Sequence, residues 1–121
     1  MSPRKIKVAA LQLNSTADVA KNIARATELT GEAVADGAAL VVLPENFAYL
    51  GPEDGKFAIA EPLPDGGPIL RAMLDLARET NTELVLGGFI EQGSRARMAR
   101  NACIHIGEDG RIRSIYRKIH L

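Results

Sequence analysis

The chain has 121 residues, which suits one domain. At that length folding buries roughly two-thirds of the surface of the unfolded chain, so a real core is possible. Fifteen basic and fifteen acidic residues leave no net field to draw in nucleic acid or an anionic membrane, and three Phe, two Tyr and no Trp leave little to stack bases on.

The N-terminus, "MSPRKIKVAALQL", has a basic start and a short apolar run. It lacks the length and cleavage site of a signal peptide. No window approaches the ~18 apolar residues of a spanning helix. Cys103 is the only cysteine, so there is no internal disulfide, and a reducing compartment fits. These features predict a soluble, cytoplasmic protein.

Residues 5–13, "KIKVAALQL", predict a first strand. Its continuous apolar stretch from Val8 to Leu11 is the pattern of a strand covered on both faces. "NSTAD" is turn chemistry, with Thr16 or Asp18 as the cap of the next helix. Over residues 18–36, Val19, Ile23, Ala26, Thr30, Ala33 and Val34 make one helical face. Gly37 stands where that helix would end in the left-handed conformation. "AALVVL", residues 38–43, is a second buried strand. Strand, helix and strand without a hairpin turn read as a parallel βαβ unit.

Residues 44–66 lack periodicity and hold four prolines, three glycines and five acids. A loop of that length in a compact domain is often functional. Pro68 fits the first turn of another helix, whose buried face is Ile69, Leu70, Met73, Leu76 and Ala77. "TELVLGGFI" is the third strand, and "GSRARMAR" is a polar, basic connection. Residues 101–121 read as a hairpin, with Gly110 in its turn free to take positive φ. The class is α/β with a mixed sheet.

Three residue types carry candidate chemistry. Glu45 follows the second strand and Pro44. Ligands of open α/β sheets collect at the carboxyl ends of strands, where a carboxylate can serve as general base. A solvated loop acid meets the same position. Lys118 lies in the strand-like run "YRKIHL", where Tyr116, Lys118 and His120 share one face. It can stabilise negative charge, or simply guard an edge strand. Cys103 sits mid-strand among apolar neighbours in "NACIHI", with no helix N-terminus or base to activate it. It is read as a buried, inert thiol. His105 and His120, without a flanking ligand pattern, predict no metal site. The first strand-to-helix turn has no glycine, so no dinucleotide fingerprint or phosphate loop is present.

Taken together, "KVAALQLNS", "GAALVVLPENF", "EPLPDGGPI", the "GEDGRI" turn and "YRKIHL" resemble the nitrilase superfamily, the carbon–nitrogen hydrolases. "LPENFAYLG" looks most like bacterial Nit-type amidases, a group that includes deaminated glutathione amidases. The resemblance runs from about Lys5 to the last residue. It implies an αββα sandwich of two sheets. This chain would supply the N-terminal half: a mixed sheet with helices on one face, residues 1–121 being a partial domain whose C-terminal half is absent.

The resemblance also implies a Glu–Lys–Cys mechanism on a small linear amide or carboxamide. Glu45 would be the general base and Lys118 the stabiliser of the tetrahedral oxyanion. The family's nucleophilic cysteine lies after the lysine, so Cys103 does not match it, and the nucleophile is expected beyond this chain. No cofactor and no metal are expected. The expected partner is a small-molecule amide, with no nucleic acid and no membrane, and the complete protein is expected to form a homo-oligomer. The 121 residues alone are expected to be inactive. The competing expectation is a non-catalytic α/β interaction module that keeps the scaffold.

Overall fold

The computed structural model describes residues 4–119. Strand β1 (Val8–Ala10) is short. Asp18 then caps helix α1 (Val19–Ala35), its carboxylate accepting the Lys21 backbone N–H at 3.1 Å. Thr16 supports the cap, its hydroxyl oxygen accepting the Asp18 N–H at 3.1 Å. Gly37, at φ +97°, turns the chain out of the helix. Strand β2 (Leu40–Glu45) runs parallel to β1.

A short helix, α2 (Glu53–Ile59), follows where the sequence predicted only loop. None of its residues is buried, so it carries no apolar stripe to announce it. Its signals are Pro52 before the first turn and Glu53 and Asp54 within it, which suit the positive end of the helix dipole. Helix α3 (Pro68–Thr80) begins at the expected proline and ends at Asn81 in the left-handed conformation. Strand β3 (Glu83–Gln92) pairs parallel with β2. Strands β4 (Ala99–Ile106) and β5 (Ile112–Arg117) complete the sheet as an antiparallel hairpin, with Gly110 at φ +78° in the turn.

The sheet is mixed, and its order, β1-β2-β3-β4-β5, repeats the order of the chain. Alternate residues of β2, β3 and β4 are buried: Val41 and Leu43, Leu84 and Leu86, Ile104 and Ile106. They pack against Ala26 of α1 and Leu70, Met73 and Ala77 of α3. The helices therefore cover one face of the sheet, as predicted. The opposite face carries Val8, Val42, Val85, Cys103 and Tyr116, by the register of the strands. Val8 is 57% exposed and Tyr116 60%.

The expectation that the first strand is covered on both faces therefore fails among the described residues. Strand β1 lies at the sheet's edge, and its apolar run faces the helices on one side only. His120 lies outside the described residues, so only Tyr116 and Lys118 of the predicted strand face are placed.

Candidate active site

Glu45 is the last residue of β2, and Asn46, at φ +58°, bends the chain away from the sheet. The segment beyond is anchored by its own burial: Phe47 is wholly buried, with Ala48 and Tyr49 beside it. It is also fastened to the start of α1. Buried Asn22 donates its amide to the carbonyls of Thr16 at 2.6 Å and Ala48 at 2.8 Å, so its polar atoms are satisfied. Ser15 donates to the Phe47 carbonyl at 3.2 Å. Glu45 is thus held from behind while its carboxylate stays open to solvent.

Lys118 follows the last residue of β5. Its backbone N–H donates to the Asn101 carbonyl at 2.9 Å. Its amine donates to the Gly87 carbonyl at 2.8 Å and forms an ion pair with Glu45. The partners stand 73 residues apart in sequence. The lysine side chain is the more sheltered of the two, 30% exposed against 61%.

Two glycines of β3 make the meeting possible. Gly88 pairs with Glu45 in the sheet, and the β3–β4 register shifts between Leu86 and Phe89. A Cβ at Gly88 would lie 2.8 Å from the Glu45 Cα, and one at Gly87 would lie 2.5 Å from the Leu43 carbonyl oxygen. Only a bare backbone fits there, the close approach that glycine inside a strand often marks. Beside the pair opens a cleft of about 750 Å³, lined in part by Asn46, Lys56, Ile90, Met98, Asn101 and Lys118.

A second ion pair adjoins the first. Arg117 binds Glu91 with both ends of its fork, Nε to Oε1 and Nη2 to Oε2, each at 2.8 Å. Glu91 is buried at 4% exposure. The hydrogen bond to Glu91, and then its negative charge, raise the Arg117 pKa above the ordinary arginine value; desolvation opposes them weakly.

Of the residues singled out in the sequence, Glu45 and Lys118 are brought together. Cys103 lies in β4 opposite Tyr116, on the face away from the helices. It is partly exposed, not buried as expected, because the helices cover only the other face. His105 Nε2 is hydrogen-bonded to Glu83 Oε1 at 2.7 Å. No cluster of three His, Cys, Asp or Glu side chains suited to a metal occurs among the described residues.

Sequence reading missed Glu61, Glu91 and Arg117. Each is a charge within or beside an apolar run, and its partner is distant in sequence. Glu61 accepts the backbone N–H groups of Gly67, Ile69 and Leu70 at 2.9, 2.6 and 2.9 Å, and so caps α3 from outside the helix.

Residues 7–121 match the carbon–nitrogen hydrolase family. The chain belongs to that family. Human deaminated glutathione amidase is 36% identical over 118 residues, covering 94% of this chain and 36% of its own length. The Caenorhabditis elegans NitFhit protein superposes with a TM-score of 0.84 at 29% identity, covering 94% of this chain and 28% of the NitFhit chain. Yeast Nit3, a member of the nitrilase superfamily, gives 0.84 at 28% identity, covering 96% of this chain and 45% of its own. This carbon–nitrogen hydrolase chain thus spans about a third of the length of the human relative. Among its described residues no helix is long and apolar enough to cross a membrane.

Proposed function

We propose that the chain is the first part of a Nit-type amidase domain that hydrolyses a small linear amide through a covalent thioester. The observation that carries this reading is the ion pair of Lys118 with Glu45, beside an open cleft at the end of β2. A base and a cation held side by side serve the two needs of acyl transfer: removing a proton from the nucleophile, and meeting the charge on the tetrahedral oxygen.

In this reading a cysteine thiol from beyond residue 121 adds to the amide carbon, and Glu45 takes its proton. The carbonyl oxygen becomes an oxyanion facing the Lys118 amine. The C–N bond then breaks, and Glu45 returns the proton to the leaving nitrogen, which departs as ammonia. Water, deprotonated by Glu45, attacks the thioester; the thiol leaves and the acid is released. The Gly87 carbonyl fixes the Lys118 amine throughout. Similarity to deaminated glutathione amidase favours a short amide of that kind as substrate.

The test is ammonia release from short amides by the full natural protein. Glu45→Gln should lower kcat by about 10²–10⁴-fold, the range for a general base. Lys118→Ala should lower it by about 10²–10³-fold, the range for one oxyanion donor. Activity that survives Glu45→Gln unchanged would overturn the assignment of Glu45 as the base.

A further inference from the structure

We propose that Arg117 and Glu91 act as a positioning pair for Lys118, holding its amine over Gly87 and against Glu45. The proposal rests on the reading of Lys118 as the oxyanion's partner.

Strand β5 is the last strand of the sheet among the described residues. Lys118 comes directly after it, and a single backbone hydrogen bond, to Asn101, ties its N–H to the sheet. A strand end secured so sparsely opens easily. Neighbouring residues of a strand point to opposite faces. Tyr116 turns to the uncovered face, so Arg117 turns to the helix side. The register agrees: Arg117 stands opposite Ala102, which is wholly buried.

Ala102 has only a methyl group, which leaves the guanidinium room to cross β4 and reach Glu91 on β3. The fork then fixes both the distance and the plane of the contact. Glu91 is itself anchored. On its flanks, Glu61 donates its N–H to Ile90 at 3.1 Å and accepts that of Gln92 at 2.8 Å. The Glu61 carboxylate holds the start of α3. A line of fixed contacts thus runs from α3 through Glu61, Glu91 and Arg117 to Lys118. The end of β5 is thus tied to β3 twice, by Arg117 on Glu91 and by Lys118 on the Gly87 carbonyl. Lysine at 117 would keep the charge and lose the fork.

The experiment uses the full natural protein with Arg117→Lys, Arg117→Gln and the double variant Arg117→Gln/Glu91→Gln. The double variant removes the unpaired buried carboxylate, so it carries the test if the single variant does not fold. Steady-state kinetics on a short amide is read beside hydrogen exchange at the Lys118 amide, with the Ile104 amide as internal reference. Displacement by about 1 Å can cost a hundredfold in rate, so kcat should fall by about 10–100-fold while KM stays within about twofold. Exchange at Lys118 should quicken far more than at Ile104, and Arg117→Lys should lie between parent and Arg117→Gln. Equal quickening at both amides, or unchanged kcat in folded variants, would make the pair merely structural and overturn the proposal. Selective quickening at Lys118 in a protein that hydrolyses no amide would uphold the positioning pair and sink the amidase reading.

Discussion

Lys118 and Glu45 meet above the backbone of Gly87, one from the end of the outermost strand and the other from the end of β2. Two strands separate them in the sheet. The contact exists because β3 narrows to bare backbone between them.

That geometry makes Gly88 a sensitive position. Its missing Cβ would stand 2.8 Å from the Glu45 Cα, a backbone atom that cannot swing aside. Gly88→Ala should destabilise the fold by about 1–3 kcal/mol, the usual range for overpacking. It should also part Glu45 from Lys118. Urea unfolding measures the first effect, and amide hydrolysis by the folded fraction measures the second. Parent-like activity would show that the pair tolerates a shifted β2.

Glu61 has a structural role that is separable from the site. It satisfies three N–H groups at the start of α3. Glu61→Ala leaves these donors, two of them buried, without their partner and should lower stability by about 1–3 kcal/mol. Glu61→Gln keeps one acceptor oxygen and should lose less. The midpoint of urea denaturation ranks the variants, and the order parent, Gln, Ala is expected.

Cys103 should be dispensable. Its partner in the strand register is Tyr116, not Lys118 or Glu45. Cys103→Ala in the full natural protein should retain kcat within about twofold, the scale of a substitution outside the catalytic groups. Iodoacetamide should label it more slowly in the native than in the denatured protein, though partial exposure allows some native labelling. Loss of turnover in the alanine variant would move the nucleophile to Cys103.

The Arg117–Glu91 pair sets a pH dependence by its sign. Its folded-state pKa is raised by Glu91, so its stabilising contribution is complete below the unfolded arginine value and lost only as pH rises through the folded one. The pair therefore stays intact across the working range. In Arg117→Lys the cation titrates with a reference value of about 10.4. The stability gap between parent and Arg117→Lys should widen above about pH 10, the region of that titration. A gap constant to pH 11, read by thermal unfolding, would show that charge at this position contributes nothing.

The elements of this fold were legible where local chemistry was strong. The α1 face, Gly37 and Gly110 at positive φ, and Pro68 at the start of α3 all stand as the sequence predicts. Helix α2 was not legible, because it buries none of its residues and rests on its neighbours. Arg97 supplies part of that support, pairing with Asp54 at 2.6 Å and stacking over Phe57.

The site was legible only as two separate residues. Nothing local to Glu45 names a lysine 73 positions away as its partner. The doublet Gly87-Gly88 within a strand was the available signal, since glycine there marks a close approach of another group. Glu91 and Arg117 gave weaker signs: Glu91 is a charge at a buried position of its strand, and Arg117 is an exposed charge beside an apolar run.

Strand order and chain order coincide, and this bears on how the molecule is made. Each of these five strands hydrogen-bonds mainly to the one completed just before it, so a nascent chain can lay them down in the order of synthesis. The ion pair breaks that rule. Glu45 is synthesised long before Lys118 and stays unpaired with it until the hairpin docks, so this ion pair forms only after the strands between its partners are in place.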